Sequence, residues 1–164
     1  MTDNILAKLF EHNNWANSQI IRACSAVSDE QLDAEPQSAT IGSIRSTLLH
    51  LVSAQRGYLS LLTVPVAVRS DPPLAFAQLQ ESARTSGEAL LALAKDEPAK
   101  LPNTTLQTMD GFYVEPWVVL VQIIDHATEH REQIKSMLSN LGITPPDIDG
   151  WTYAEATNAL IPIH

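Results

Sequence analysis

Two histidines, His126 and His130, stand four residues apart in the long segment from Pro116 to Leu141. Four residues along an α-helix turn the chain by about 40°, so both imidazoles are expected to leave one face of a helix, one turn apart. Apolar residues recur on the same face, which predicts that the rings lie at a core, where unsatisfied ring nitrogens are costly. A histidine pair at this spacing is suited to bind one divalent metal ion.

A third ligand is offered by His50, on the edge of an apolar face in an earlier predicted helix. Taken alone, a histidine on such a face is more often a hydrogen-bonded core residue than a ligand. Together with His126 and His130 it would complete a three-histidine site. Three protein ligands plus an open position is the pattern of catalytic zinc, whereas structural zinc sites are closed by four protein ligands. Imidazole also suits nickel, iron and copper, so ligand type alone does not choose the metal. We expect zinc or nickel, with iron as a further option.

Polar neighbours of the histidines could orient the ligands or a bound water. We take Gln55 and Glu129 as candidate catalytic residues, and Glu132 as a further neighbour of His130. The simpler interpretation of both glutamates is a solvated helix face that pairs with Arg131 or with a lysine one turn away.

Two other reactive residue types lie on the first predicted helix. His12 is interpreted as a boundary residue that hydrogen-bonds to a neighbouring helix. Cys24, the single cysteine, is interpreted as a small core residue rather than a nucleophile. A lone cysteine excludes an internal disulfide and fits a reducing compartment.

Four long helices are predicted to position these groups. They run from about Thr2 or Asp3 to Val27, from Ile41 to Leu62, from Leu74 to Lys95 and from Pro116 to Leu141. Thr2 or Asp3 can cap the first helix, and Thr40 or Ser43 can cap the second. Their inward faces are predicted from apolar spacing, which includes Ile5 and Leu9 in the first helix.

Prolines, glycines and capping residues predict the structure of the segments that connect the long helices. A capped short turn opens at Ser28, and the proline-rich Val64–Pro73 segment is expected to cross one end of the bundle, so that the third helix runs parallel to the second. Asp110-Gly111 predicts a hairpin between Thr104–Thr108 and Phe112–Glu115, lying against the bundle mouth. Gly142 is a good C′ residue, and a last short helix is predicted for Trp151–Leu160.

The 164 residues predict one domain, 1–164, of the all-α class. A formal net charge of −9 with scattered basic residues disfavours nucleic-acid binding and attachment to an anionic membrane. No apolar run approaches the ~20 residues of a bilayer span, and no signal peptide is visible. A cytoplasmic location is therefore expected.

Four segments carry a resemblance that runs nearly from end to end of the chain. They are Asn14–Asn17, Leu49–Leu51, Asp125–Ile134 and Pro145–Tyr153. The third is similar to the signature His-x-x-x-His-Arg-Gly-Gln-Ile of the DinB/YfiT-like family of small metalloenzymes, which the whole chain resembles. This resemblance implies a four-helix bundle of up-down-down-up topology, metal ligands at His50, His126 and His130, and a homodimer.

One position departs from the family's pattern, since Glu132 stands where the family usually has glycine. An acid there would change the packing after His130 or hold a charge near the pocket, and it leaves the ligands intact. Some members of the family resemble thiol-dependent transferases or isomerases and many have no established reaction, so the resemblance does not supply a substrate.

Three functions are consistent with these features. The favoured one is a metal-dependent enzyme acting on a small molecule at the open coordination position, as a thiol-dependent S-transferase or a hydrolase, with a low-molecular-weight thiol as a partner. It predicts a pocket at the metal, rimmed by the hairpin and the C-terminal tail. The alternative is a non-catalytic protein of a stress response that binds metal or a small ligand. The third is a purely structural helical dimer with hydrogen-bonded histidines.

Overall fold

The computed structural model of the chain describes residues 4–36, 42–95 and 101–163. These residues form six α-helices and one two-stranded antiparallel sheet. The helices are α1 (Ile5–Cys24), α2 (Asp29–Leu32), α3 (Ile44–Thr63), α4 (Leu79–Lys95), α5 (Pro116–Asn140) and α6 (Gly150–Ala156), and the strands are β1 (Leu106–Gln107) and β2 (Tyr113–Val114). The predicted helical bundle, with a hairpin before its last long helix and a short helix after it, is confirmed.

Two separate apolar clusters define the directions of the four long helices. One cluster joins the C-terminal parts of α1 and α5 to the N-terminal parts of α3 and α4, and it contains Ile20, Cys24, Leu48, Leu79 and Leu138. The other joins the opposite ends of the same helices and contains Phe10, Leu62, Leu90, Val119 and Ile123. Helices α1 and α5 therefore run one way and α3 and α4 the other, which is the expected up-down-down-up topology.

Apolar spacing predicts the inward faces of α3, α4 and α5 correctly and that of α1 only in part. The prediction for Ile5 and Leu9 is wrong, because these side chains are 76% and 45% exposed. The buried face of α1 instead includes the polar residues Asn13 and Asn17, which apolar spacing does not detect. Cys24 is buried as predicted, and burial raises the pKa of its thiol to about 12.

Local cap chemistry sets most of the helix ends. Ser43 Oγ accepts the N–H of Ser46 at the start of α3, and Ser28 forms a capping box at α2. At the end of α5, Gly142 has a φ of +73°, as expected of a C′ residue. The predicted caps Thr2, Asp3 and Thr40 lie outside the described residues, as do Ile41 and His164.

Four helices are shorter than predicted by two or more residues. Helix α3 begins at Ile44 rather than Ile41, after its Ser43 cap, and α4 begins at Leu79 rather than Leu74, after a single 3₁₀ turn at Phe76–Gln78.

Helix α1 ends at Cys24 rather than Val27, because the chain turns there before the cap of α2. Helix α6 ends at Ala156 rather than Leu160. Asn158 adopts a φ of +55°, and a right-handed α-helix cannot continue through a residue with positive φ.

The hairpin lies against the bundle end at which α3 terminates. Its register pairs Leu106 with Val114, and Leu106 is buried in the second apolar cluster. The Arg69 guanidinium donates to the carbonyl oxygens of Leu61 (3.2 Å) and Val64 (2.7 Å) and to that of Gln107 in β1. A cation that satisfies the last carbonyls of a helix is favourable, and here it also ties β1 to α3.

Helices α1 and α4 approach closely at one glycine. Asn14 Nδ2 donates to the carbonyl oxygen of Gly87 at 2.8 Å. A Cβ placed on Gly87 would come within 2.6 Å of Asn14 Oδ1, so a larger residue there would have to displace the Asn14 amide. Among the described residues, no helix is both long and apolar enough to cross a membrane.

Candidate metal centre

The structure brings the three predicted histidines together at the surface of the bundle. Helix α3 contributes His50, and α5, which packs against α3, contributes His126 and His130. The Nε2 atom of His126 lies 3.1 Å from the Nε2 atoms of both His50 and His130. The ligand atoms of all three rings fall within 4.8 Å of one another. His50 is exposed and the other two are half-buried, so the nitrogens converge at a place that solvent reaches.

This arrangement fits a bound divalent metal. With metal–nitrogen distances of ~2.0–2.1 Å and tetrahedral angles, two imidazole ligands would stand about 3.3 Å apart. The two Nε2 separations of 3.1 Å are close to that value before any metal is placed. Three neutral imidazoles and no cysteine form a donor set suited to zinc, nickel, copper or iron.

Hydrogen bonds alone would not satisfy the cluster. A neutral imidazole nitrogen carries either one proton or one lone pair in the plane of its ring. Nε2 of His126 lies close to two nitrogens but can form a hydrogen bond with only one of them, on His50 or on His130. A metal ion at the convergence point would accept all three lone pairs at once.

The charge states of the rings also suit a cation. Burial, assisted by the neighbouring His130 and His50, lowers the pKa of His126 to about 4. Burial and then His130 also lower the pKa of His50. Rings with lowered pKa values are neutral at pH 7 and keep the lone pair that a metal requires.

Gln133 orients one of the ligands. Its Oε1 lies 2.7 Å from Nδ1 of His130, so Nδ1–H of the ring donates to the amide oxygen. That bond places the proton on Nδ1 and leaves the lone pair on Nε2, toward the other histidines. This role of Gln133 was not predicted from the sequence. The signal for it is the spacing of three residues from His130, which puts both on one helix face.

The candidate catalytic residues do not join the histidines. Gln55 is buried inside the bundle, where its amide accepts from Asn17 and donates to Ala83 and Ser86. Glu129 is exposed on α5.

Glu132, the residue that departs from the family's pattern, is exposed and pairs with Lys135 at 3.0 Å. It lies on a solvated helix face, as the simpler interpretation of the two glutamates predicts. Its carboxylate is thus directed to a lysine and leaves the histidine ligands in place.

The surroundings of the site differ from the predicted pocket rimmed by the hairpin and the tail. The hairpin lies near the C-terminal end of α3, whereas His50 is in the second turn of that helix. Helix α6 packs on α1, where Tyr153 meets the rings of Trp15 and His12. Tyr58 of α3 borders the histidines, and its ring meets that of His126 edge-on at 5.7 Å.

His12 is also placed differently from the prediction. Its Nε2 donates to the carbonyl oxygen of Ile148, which precedes α6, and not to a neighbouring helix. The bond holds the C-terminal segment on α1 and involves none of the three clustered histidines.

Arg131, which follows His130, is buried rather than paired with an acid. Its Nη1 donates to Asn13 Oδ1 and Asn17 Oδ1, both at 2.7 Å, and its Nη2 donates to Thr128 Oγ1. Burial lowers the pKa of Arg131 to about 10, so the guanidinium still carries its charge at pH 7. A buried cation of this kind needs such acceptors, because losing them would leave an uncompensated charge.

The family model that matches this chain is that of the DinB family, over residues 1–162. The chain belongs to the DinB family. A crystal structure of a DinB family protein from Exiguobacterium sibiricum has a TM-score of 0.63 and 20% identity, covering 87% of this chain and 94% of that one. A DinB-like protein from Bacillus cereus has a TM-score of 0.63 and 16% identity, with coverages of 88% and 95%. Identities this low establish a shared fold. A comparison with curated protein sequences found no significant match.

Proposed function

We propose that this DinB family protein binds one divalent metal ion through His50, His126 and His130 and acts on a small molecule at the position left open. The observation that carries this proposal is the convergence of three Nε2 atoms, two pairs of them 3.1 Å apart, at a place that solvent reaches. We take zinc or nickel as the metal and iron as the next choice among the ions that imidazole suits.

The proposed reaction is a thiol-dependent S-transfer or a hydrolysis, with a low-molecular-weight thiol as the partner in the first case. A metal held by three neutral histidines keeps its full positive charge and supplies activation of a thiol or a water at neutral pH. The chain's own residues contribute the neutral rings and, through Gln133, the fixed direction of His130. His50 is exposed, so a substrate can approach the histidines from solvent.

A second function has specific support. Gln55 is fully engaged inside the bundle and Glu129 faces solvent, so neither candidate acid or base is held next to the histidines. This favours the alternative of a non-catalytic protein that binds metal or a small ligand, as in a stress response. The purely structural function has less support, because hydrogen bonds cannot complete both short contacts of His126.

Elemental analysis of untagged protein beside His126→Ala tests the metal site first. We expect about one metal per chain, lost in the variant. A chain that stays folded, carries no metal and cannot be reconstituted would refute the proposal and favour the structural function. For loaded protein, screens of thiol transfer and of hydrolysis then separate an enzyme from a binding protein, since only the enzyme turns over.

The proposal extends to assembly and location. Exposed apolar side chains lie together in sequence from the hairpin into the start of α5, at Phe112, Tyr113, Trp117 and Val121. Helical residues that are apolar on the outer face as well as the inner are typical of a covered surface, and we take a second copy of this chain as the partner. A cytoplasmic location fits the single, buried thiol of Cys24.

A further inference from the structure

A chain of hydrogen bonds through the centre of the bundle joins the two helices that carry the histidines. Arg131 Nη1 of α5 donates to Asn17 Oδ1 of α1 at 2.7 Å, and Asn17 Nδ2 donates to Gln55 Oε1 of α3 at 3.0 Å. Gln55 Nε2 continues to Ser86 Oγ of α4 at 2.7 Å. Arg131, Asn17 and Gln55 are all buried, at most 5% exposed. We call these three residues the central bridge.

The central bridge is anchored close to the metal ligands in sequence. Arg131 directly follows His130, and Gln55 follows His50 by five residues, about 7.5 Å along the helix. We propose that the central bridge sets the axial position of α5 against α3 and so brings His126 and His130 level with His50. Its members are positioning residues, and the inference rests on the proposed metal site.

Apolar packing by itself would hold that position less strictly. The hydrophobic effect has no direction, and a slide of α5 by one residue would move its histidines by about 1.5 Å. A metal site must be held to within roughly 0.5 Å. Hydrogen bonds favour a narrow range of distance and angle, and the bridge includes a buried cation whose acceptors are costly to lose. The bridge therefore supplies the directional restraint that the two apolar clusters lack.

A double-mutant cycle on metal affinity tests this inference, with Asn17→Leu, Gln55→Met and the double variant. Thr47→Val is the matched control, because Thr47 is buried on α3 and its hydroxyl donates only to Ser43 of the same helix turn. Zinc affinity is measured by competition with a coloured chelator, and the melting temperature of the metal-free protein is measured separately.

We expect each bridge variant to lose about tenfold in zinc affinity, the lower end of the loss for groups that orient ligands. The double variant should lose no more than either single one, because one break already frees the helices. Thr47→Val should keep wild-type affinity. Gln55→Met leaves both acceptors of the buried Arg131 charge in place, so it serves as the test if the variants that remove Asn17 do not fold.

Three results would overturn the inference. Wild-type affinity in the folded bridge variants would show that the bridge only stabilises the fold, and a lower melting temperature alone would show the same. Losses that multiply to about a hundredfold in the double variant would mean that the two residues act separately.

A measurement on the metal-free protein tests the central bridge even if the proposed metal binding fails. The ring centroids of His50 and His126 lie 5.0 Å apart, near enough for nuclear Overhauser contacts between their ring protons. If wild-type protein binds no metal, the proposed function fails. The inference then stands if these contacts vanish in the double variant and persist in Thr47→Val, and it falls if they persist in both.

Discussion

Replacing Gln133 by leucine should weaken metal binding with little effect on the metal-free fold. Leucine is similar in size and removes the oxygen that accepts from His130 Nδ1 at 2.7 Å. Without that acceptor the ring can rotate, or it can carry its proton on Nε2. A proton on Nε2 must leave before that nitrogen can bind a metal. Groups in this position typically contribute 10–100-fold in affinity, which is about 1.4–2.7 kcal/mol. Because Gln133 is only half-buried and water can replace it, we expect the lower end, about tenfold.

The free energy of unfolding of the metal-free protein should change less than the free energy of metal binding. The hydrogen bond joins residues three apart on one helix, and a bond of this kind contributes ~0.5–1.5 kcal/mol to stability. The free energy of unfolding from urea titrations measures this quantity, and chelator competition measures the affinity. Gln122→Leu is the control, because Gln122 is an exposed glutamine on the same helix. Gln133→Glu should bind metal at least as well as wild type, since a carboxylate accepts the same bond more strongly.

Equal zinc affinity in wild type and Gln133→Leu would refute the reasoning, because the orientation of His130 would then not depend on Gln133. A loss of the same size in Gln122→Leu would refute it as well, since the effect would belong to the helix surface and not to the ligand.

Three further predictions concern the rest of the molecule. Gly87→Ala should lower the free energy of unfolding by about 1–3 kcal/mol through overpacking of the α1–α4 contact. Gly57→Ala, whose Cβ would meet nothing within 4 Å, should raise it by about 0.5–1 kcal/mol, and equal effects in urea titrations would contradict the packing argument. Trp117→Glu should shift the proposed dimer to monomer in light scattering, whereas Trp151→Glu, at a tryptophan that is also exposed, should not. Burial raises the pKa of Cys24 to about 12, so iodoacetamide at pH 8 should label it only after unfolding.

Local signals in the sequence account for much of the fold. Ser28, Ser43, Pro116 and Gly142 occupy the cap and terminal positions that the sequence predicts, because capping depends on residues within one helical turn. The hairpin follows from Asp110-Gly111 for the same reason. The ends of α1 and α6 and the starts of α3 and α4 differ by a few residues. An adjacent turn or a left-handed residue ends the first two, and a cap or a 3₁₀ turn precedes the other two.

The sequence by itself determined that His126 and His130 share one helix face, since helical periodicity fixes the angle between residues four apart. Only the tertiary structure decided that His50 meets them, because that depends on how α3 and α5 are rotated against each other. It also decided that Gln55 and Arg131 lie inside the bundle, where their partners come from α1 and α4. Apolar spacing describes a single helix, whereas the pairing of buried polar groups is settled between helices.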